Sequence, residues 1–355
     1  MHPATGDDVH SSGTAAPAAV SVATADAPAL PGTEGHEALI EVRDLKVTIP
    51  FRGQDVYAVR GVTFDVHRDS TVVLVGESGS GKSVTARSML GLLPPATTIS
   101  GSVKFEGHEL VGLSEKQWRQ HRATGISIVF QDPTRSLNPT MRIGHQIGEG
   151  IRRHFGVSRA AALDRATELL DMVGIGSPKE RVRDYPHQLS GGMRQRVMMA
   201  IAISCDPKVL IADEPTTALD VTTEAQIMEL LLSLQSQLHM GLLLITHNMG
   251  LAFTYGDEIA VMYAGRIVES APKEELVRHV RMPYTNGLLG SLPAVDDLPH
   301  SQLAAMQGRP PDAMTTPRGC AFQPRCPIAE ARCTEQAPPL AVLDGTHACA
   351  CWYPL

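Results

Sequence analysis

Apolar and polar positions along the chain follow three patterns. Near the start, ALIEVRDLKVTI alternates, and GVTFDV and TVVLVG follow as short β-branched runs bounded by Gly and Asp, so these segments predict strands. Further on, KVLIAD and GLLLITH are continuous apolar runs that end in polar residues, as buried parallel strands do when their carboxyl ends carry chemistry. The middle section places apolar residues three and four positions apart on one helical face: Leu163, Ala166, Leu170 and Val173. We therefore predict an α/β fold with a strand-rich start and a helical middle.

Two changes in composition divide the chain. Residues 1–36 are mostly Ala, Pro, Ser, Thr and Gly, with few large apolar groups, and such a segment cannot offset its own ordering entropy. From about Val268 onward Pro becomes more frequent and the strong periodicity fades. We therefore predict a disordered Ala/Pro-rich tail at 1–36, a folded domain at 37–267 and an extension at 268–355.

Size and charge narrow the class of protein. At 355 residues and 43% hydrophobic residues, the chain can bury a full core and form one large domain plus an appendage. Its net charge of -7 argues mildly against a protein whose main role is to bind nucleic acid. No run reaches the ~18 apolar residues of a membrane helix, and MHPATGDDVH does not resemble a secretory signal. We expect a cytoplasmic protein that reaches a membrane only through partners, with its six cysteines reduced.

A glycine pattern lies between a predicted strand and a helix-compatible segment. Residues 76–83 fit G-x-x-x-x-G-K-[ST] and follow TVVLV directly. The glycines let backbone N–H groups face phosphate oxygens, Lys82 offers a cation for the β- and γ-phosphates, and Ser83 can bind Mg²⁺. The alternative is a Gly/Ser-rich turn, but the strand and the helix in register favour a phosphate loop. The predicted nucleotide-binding residues here are Gly76, Glu77, Ser78, Gly79, Ser80, Gly81, Lys82 and Ser83.

Two carboxylates end the apolar run in KVLIADEP. Asp213 suits a Mg²⁺ ligand, and Glu214 suits the general base that activates an attacking water. Taken alone, such a pair is more often part of a solvated loop, but a phosphate loop upstream reverses that balance. The pair does not identify the reaction, because kinases, helicases, GTPases and transport ATPases share both elements.

A second glycine motif, LSGGMRQRV, has no Lys at the phosphate position and follows no strand. By itself it predicts a helix start, with Ser190 as N-cap and Met193, Val197 and Ile201 as an apolar stripe. This segment resembles the signature motif of ATP-binding-cassette (ABC) ATPases, and further elements of that family occur in the family's order. Gln131 in IVFQDP resembles the Q-loop residue, and two more resemble the D-loop and the switch histidine, which are Asp220 in TTALD and His247 in LLLITHNMG.

The resemblance covers roughly residues 38–270 and implies a fold. The expected architecture is a P-loop NTPase (RecA-like) core with an antiparallel β subdomain, together forming an ABC nucleotide-binding domain at 37–267. A helical ABC-specific subdomain is expected at about 133–205. In this family two nucleotide-binding domains sandwich two ATP molecules, each held by one subunit's phosphate loop and the other subunit's signature. The signature residues implied to act on the partner's ATP are Ser190, Gly191, Gly192 and Gln195.

The resemblance also assigns roles within one subunit. Glu214 is expected to polarise the attacking water and His247 to contact the γ-phosphate. Lys82 is expected to be the third catalytic residue of ATP hydrolysis. Adenine usually stacks on an aromatic residue upstream of the phosphate loop, for which Phe51 is the first candidate and Tyr57 the alternative. The expected Mg²⁺ ligands are Ser83, Gln131 and Asp213.

Several segments resemble one branch of the family. YPHQLSGGMRQR, DEPTTALDVTTEAQIMELL and FQDPTRSLNP are similar to the D-type ATPase subunit of oligopeptide and dipeptide importers, and PYTNGLLGSLP is similar to that branch's C-terminal extension. This implies ATP-driven uptake of short peptides and a location on the cytoplasmic face of the cell membrane. The implied partners are an F-type ATPase subunit in a heterodimer, two membrane-spanning permeases and an extracytoplasmic solute-binding protein, with no nucleic acid.

Other functions compete with this interpretation. Relatives of the same importer type serve nickel, glutathione or other small solutes, and the ATPase subunit does not touch the cargo. Non-transport ABC ATPases act on nucleic acid, but they usually carry a long coiled coil or two cassettes, neither of which occurs here. A degenerate cassette that binds ATP without hydrolysing it is disfavoured because Glu214, His247 and the signature residues are intact.

Cysteines are concentrated near the C-terminus. Cys320, Cys326 and Cys333 are spaced x5 and x6, and either Cys349 or Cys351 could supply a fourth ligand. This spacing leaves buried thiols, zinc and iron–sulfur all open. The resemblance implies a [4Fe–4S] site in a regulatory or dimer-contacting tail, with zinc as the alternative, and its ligands would be Cys320, Cys326, Cys333 and Cys351.

Overall fold

The computed structural model of the chain describes residues 38–217, 219–291 and 306–355. Within these ranges the strands are β1 (Ala38–Phe51), β2 (Gln54–His67), β3 (Thr71–Val75), β4 (Thr98–Phe105), β5 (His108–Glu109), β6 (Ile126–Val129), β7 (Val209–Asp213), β8 (Gly241–Thr246), β9 (Glu258–Tyr263), β10 (Arg266–Pro272), β11 (Ala341–Asp344) and β12 (His347–Cys349). The α-helices are α1 (Lys82–Ser88), α2 (Glu115–His121), α3 (Pro133–Ser136), α4 (Ile143–Phe155), α5 (Arg159–Met172), α6 (Pro178–Arg181), α7 (Gly191–Ala202), α8 (Val221–Leu238), α9 (Met249–Tyr255), α10 (Lys273–Arg278), α11 (Pro283–Leu289) and α12 (Ala331–Glu335). Short 3-10 helices occupy Pro186–Gln188 and Gln323–Arg325. The tail predicted to be disordered lies outside the described residues.

Two sheets form the scaffold. The smaller sheet is antiparallel, with strand order β2-β1-β4-β5, and β1 and β2 make its long hairpin. The larger sheet has the order β11-β12-β10-β9-β3-β8-β7-β6, and its strands from β9 to β6 pair in parallel. The apolar runs predicted as buried parallel strands are β7 and β8, so the predicted α/β fold is confirmed.

Both faces of the parallel strands are buried, because each face packs on a different layer. Along β3, Val72 and Leu74 belong to the core shared with the antiparallel sheet and α1. Val73 and Val75 belong to the core shared with the helical segment. Alternate side chains of a strand point to opposite faces, so a short, wholly apolar strand can serve two cores at once.

Helices α3 to α7 lie between β6 and β7 along the chain and fill the range predicted to be helical. The predicted apolar face of α5 packs inward, since Ala166, Leu170 and Val173 are fully buried and Leu163 is partly buried. Helix α5 begins at its N-cap Ser158, whose side chain accepts a hydrogen bond from the Ala161 N–H. The domain limits given above stay predictions.

The C-terminal segment adds strands to the larger sheet. Strand β12 pairs with β10, and β11 pairs with β12. Glu269 in β10 is fully buried, lies 2.8 Å from His347 Nε2, and accepts hydrogen bonds from the Arg281 and Met282 N–H groups. The segment is therefore joined to the core by backbone pairing and by a buried polar contact. Among the described residues, no helix is long and apolar enough to span a bilayer.

Glu258 is a buried acid at the start of β9. Burial, with the charge of Asp65 adding to it, raises the pKa of Glu258 to about 7 from 4.5. When a carboxyl has a higher pKa in the folded than in the unfolded protein, its contribution to stability is complete at pH values below the unfolded-state pKa. That contribution is lost as pH rises through the folded-state pKa. The stability of wild type should therefore fall as pH rises from about 5 to about 9, whereas glutamine does not ionise. Over that range we expect the difference in unfolding free energy to shift in favour of Glu258→Gln by on the order of 3 kcal/mol. Urea unfolding of both proteins at the two pH values checks this, and a pH-independent difference would contradict it.

Candidate functional site

The predicted functional segments meet at the carboxyl edge of the larger sheet. Strands β3, β8, β7 and β6 are neighbours in that order and run in parallel, so the residues that follow them lie side by side. The glycine loop at 76–83 follows β3, and His247 follows β8. The Asp213–Glu214 pair lies at the end of β7, and Gln131 follows β6. Sheet topology thus brings together groups that are far apart in sequence.

Two glycines of the loop are required by close backbone packing. A Cβ at Gly76 (φ 157°) would lie 2.1 Å from the Met262 carbonyl oxygen, and one at Gly81 (φ 106°) would lie 2.4 Å from the Ala58 carbonyl oxygen. Both clashes are with backbone, which cannot move aside cheaply. The loop therefore passes tightly between β2 and β9 and leads directly into α1, which begins at Lys82.

Lys82 is a nearly buried cation at the centre of this loop. Its Nζ donates hydrogen bonds to the carbonyl oxygens of Gly76 (2.7 Å) and Glu77 (2.9 Å). Burial lowers the pKa of Lys82, while the carboxylates of Glu214 and Asp213 oppose that effect. The ammonium group is thus held in a cradle of carbonyl groups from its own loop, facing the two acids.

Asp213 and Ser83 offer oxygen ligands of the kind that Mg²⁺ prefers. Ser83 Oγ donates to Asp213 Oδ1 at 2.7 Å. Asp213 is fully buried, and its Oδ2 has no hydrogen-bond partner among the described residues. Burial also raises the pKa of Asp213. A buried carboxylate oxygen without a partner is an expected feature of a cation site, so this pair fits Mg²⁺.

Glu214 accepts several contacts through one oxygen. Its Oε2 accepts hydrogen bonds from Gln131 Nε2 and Thr217 Oγ1, each at 2.9 Å, and lies 3.4 Å from His247 Nδ1. The interaction with His247 lowers the pKa of Glu214 and raises that of His247. Glu214 has a backbone φ of 47°, and its N–H donates to the Ile245 carbonyl oxygen in β8. The turn after β7 thereby directs this carboxylate into the cleft.

A single cleft beside the loop contains most of the predicted site. Its polar lining includes Glu77, Ser78, Gly79, Gly81, Lys82, Ser83, Gln131, Glu214 and His247. Its apolar wall comes from residues that sequence reasoning missed, which are Ile49, Val56, Ala58, Val84, Leu288 and Ala313. Ile49 and Val56 pair across the β1–β2 hairpin, where apolar alternation just upstream of the loop is a usable signal. Leu288 and Ala313 come from the C-terminal segment, and no local signal marks them.

Neither predicted adenine-stacking aromatic lines the cleft. Phe51 ends β1 at the tip of the hairpin, where 49% of its surface is exposed and the Arg52 guanidinium lies 5.2 Å from its ring centre. Tyr57 is in β2, and its N–H donates to the Ala313 carbonyl oxygen. Phe51 thus lies at the hairpin tip, whereas Tyr57 lies between Val56 and Ala58, which both line the cleft, and the choice of stacking aromatic stays a prediction.

The second glycine motif lies apart from this cleft. Ser190 is the N-cap of α7, where its Oγ accepts from the Met193 N–H at 3.3 Å, and Gly191 and Gly192 open the helix. Gln195 differs from these residues, because its side chain is only 2% exposed and so is not presented beside Ser190. Asp220 caps α8 and accepts from the Thr223 N–H and hydroxyl groups, which lower its pKa.

The cysteine prediction is not supported. Cys320, Cys326, Cys333 and Cys351 do line one small pocket in the C-terminal segment. However, no group of three or more His, Cys, Asp or Glu side chains in the described ranges is arranged to hold a metal ion. Burial raises the pKa of the Cys320, Cys326 and Cys351 thiols. Cys205 is buried, as expected for a small apolar residue.

The parallel sheet and the loop with its neighbouring acids define a P-loop nucleoside triphosphatase. A family model described as ABC transporter matches residues 59–217, and a second, described as oligopeptide/dipeptide transporter, C-terminal region, matches residues 268–333. The dipeptide transport ATP-binding protein DppD of Bacillus subtilis (strain 168) is 44% identical over 318 residues, which cover 89% of this chain and 95% of the relative. The oligopeptide transport ATP-binding protein OppD of the same organism is 46% identical over 316 residues, which cover 88% of each chain. The chain therefore belongs to the ABC transporter family of ATP-binding proteins, in the branch that carries the oligopeptide/dipeptide C-terminal region.

Solved structures give the same fold. The ATP-binding cassette MJ0796, in a dimeric post-hydrolysis state bound to ADP and Pi, is 27% identical with a TM-score of 0.59, and the match covers 66% of this chain and 98% of that one. The cbiO1 protein from Clostridium perfringens, part of the ABC transporter complex cbiONQ, is 27% identical with a TM-score of 0.58, covering 68% and 91%. The predicted P-loop NTPase class and ABC ATPase family are thus confirmed.

Proposed function

We propose that the chain is the D-type, ATP-hydrolysing subunit of an importer for short peptides. The observation that carries the catalytic part of this proposal is the meeting of the phosphate loop, Glu214 and His247 in one cleft. The substrate class rests on the relatives, which are named as dipeptide and oligopeptide transport proteins. The C-terminal region of the same transporter type supports it further.

In this proposal the loop holds the triphosphate of ATP. Backbone N–H groups of residues 76–83 donate to the phosphate oxygens, and Lys82 exchanges its contacts with carbonyl groups for contacts with the β- and γ-phosphates. Bound Mg²⁺ would neutralise phosphate charge from Ser83, Gln131 and Asp213. The aliphatic hairpin wall, with Ile49 and Val56, would contact the adenine, and Phe51, with Tyr57 as the alternative, stays the proposed aromatic that stacks on it.

Glu214 and His247 carry the hydrolytic step. The lowered pKa of Glu214 keeps its carboxylate ionised, so it can take a proton from the water that attacks the γ-phosphorus as ADP leaves. His247, whose pKa is raised, stays protonated to higher pH than an ordinary histidine and offers a cation to the γ-phosphate. Gln131 joins this pair to the helical segment through its hydrogen bond to Glu214.

Hydrolysis in this proposal needs a second ATPase subunit. Ser190, Gly191 and Gly192, at the N-terminus of α7, would face the γ-phosphate bound to an F-type partner. Two membrane-spanning permeases would hold the pair at the cytoplasmic face of the membrane, and an extracytoplasmic binding protein would deliver the peptide.

Stimulation of ATPase activity tests substrate and partners together. We would purify the tagged chain from detergent-solubilised membranes of the host that encodes it, with its bound subunits. Adding a mixture of di- to pentapeptides with the binding protein is expected to raise ATPase activity severalfold, because cargo arrival favours closure of the two ATPase subunits. Stimulation by nickel, glutathione or DNA in place of peptides would contradict the proposal. A preparation that lacks membrane-spanning partners would contradict it as well.

A further inference from the structure

An ion pair joins the C-terminal segment to the phosphate loop. Arg325 ends the 3-10 helix Gln323–Arg325, and its two terminal nitrogens donate to the two carboxylate oxygens of Glu77 at 2.7 and 2.8 Å. The Arg325 side chain is only 4% exposed and that of Glu77 is 25% exposed, so the arginine is shielded from water while the carboxylate borders the cleft. Paired, two-bond contacts of this kind fix orientation as well as distance.

A second contact from the same segment reaches the backbone of Glu77. The Tyr284 hydroxyl, in α11, accepts a hydrogen bond from the Glu77 N–H at 2.9 Å. Tyr284 packs against Tyr263 and Phe322, with ring centres 4.4 to 5.4 Å away, and Tyr263 OH also accepts a bond from Arg325. Both groups that hold Glu77 are thus fixed in a buried aromatic cluster.

Glu77 in turn contacts the catalytic lysine. Its carbonyl oxygen accepts one of the hydrogen bonds of Lys82 Nζ, so a shift of the Glu77 peptide changes the setting of the ammonium group. The C-terminal segment also supplies Leu288 and Ala313 to the wall of the cleft. It therefore touches the site at the loop and at the wall.

We propose that Arg325 is a positioning residue for ATP binding, holding Glu77 together with Tyr284 so that the phosphate loop is preformed. The C-terminal segment is then part of the ATP site. This inference rests on the proposed ATP-binding function and adds a residue of the C-terminal segment to the site. A partner or modification that displaced the Gln323–Arg325 turn would loosen the loop and weaken ATP binding.

The proposal predicts a change in affinity more than in chemistry. In Arg325→Gln we expect the Kd for ATP, with Mg²⁺, to rise about tenfold, equal to about 1.4 kcal/mol. The phosphate loop is then no longer preformed, so part of the binding free energy is used to order it. The kcat at saturating ATP should change much less, since Glu214 and His247 follow other strands. Arg325→Lys keeps the positive charge but cannot donate two parallel hydrogen bonds to the Glu77 carboxylate. It should therefore recover only part of the affinity.

A double-mutant cycle separates this contact from general damage. Glu77→Gln, Arg325→Gln and the double variant are compared by titration with a fluorescent ATP analogue, with thermal midpoints measured in parallel. We expect the double variant to bind ATP no more weakly than the weaker single variant, because the two changes break the same contact. Arg318→Gln, which changes an exposed arginine in the same segment, is the matched control and should bind like wild type.

The outcomes distinguish the two proposals. Unchanged affinity in Arg325→Gln, or effects that add fully in the double variant, would overturn the positioning role alone. Wild-type protein that binds no ATP would overturn the proposed function and this inference with it. If Arg325→Gln does not fold, Tyr284→Phe, which removes only the acceptor of the Glu77 N–H, is measured instead, and its affinity must also fall for the role to stand.

Discussion

ATP hydrolysis by the Glu214→Gln variant is expected to be about 10²- to 10⁴-fold slower than by wild type, the usual contribution of a general base. Glutamine keeps the shape of the side chain and an oxygen that can accept from Gln131 and Thr217. It cannot take a proton from water, so the chemical step loses its base. ATP affinity should stay within a few-fold, because the triphosphate contacts of Lys82 and the loop are unchanged.

Steady-state phosphate release from the purified complex, together with ATP binding by the same preparation, measures both halves of this prediction. Glu229→Gln is the matched control, because it makes the same chemical change on the exposed surface of α8 and should hydrolyse ATP at the wild-type rate. Hydrolysis at the wild-type rate in Glu214→Gln would show that another group activates the water. Loss of ATP binding in that variant would show that Glu214 contributes to the binding of ATP and not specifically to the chemical step.

The parts of the site carried by local motifs could be predicted from the sequence. The glycine loop and His247 follow β3 and β8, and the Asp213–Glu214 pair lies at the end of β7. The apolar runs of these three strands are visible in the chain, and parallel pairing aligns their ends with that of β6, which Gln131 follows. In each case few or no residues separate the end of the strand from the functional side chain. The structure accordingly brings all these segments to one edge of the sheet.

Long-range packing explains what the sequence did not reveal. Arg325 and Glu77 are separated by 248 positions, and no periodicity or spacing connects them. The entry of β11 and β12 into the larger sheet depends on the edge that β10 leaves open, which only the folded sheet defines.

The second large effect is expected for Lys82→Ala and is measured as a loss of peptide transport. The buried ammonium is placed to neutralise the β- and γ-phosphates, and removing a charged donor from such a site typically costs about 10²- to 10³-fold. Lys82→Ala should therefore leave the importer unable to use ATP, since the truncated side chain can hold neither the phosphates nor the carbonyl groups of Gly76 and Glu77. Lys116→Ala, an exposed lysine on α2, is the matched control.

Uptake of a radiolabelled dipeptide or tripeptide by whole cells tests the central claim most directly, because the cell itself supplies the permeases, the second ATPase subunit and the binding protein. The strains compared carry the wild-type gene, a deletion, Lys82→Ala or Lys116→Ala, with the amount of protein in the membrane fraction checked in each. We predict uptake at the background level of the deletion strain for Lys82→Ala and at the wild-type rate for Lys116→Ala. Wild-type uptake in the deletion or Lys82→Ala strain would contradict the assignment of this chain as the ATPase of a peptide importer.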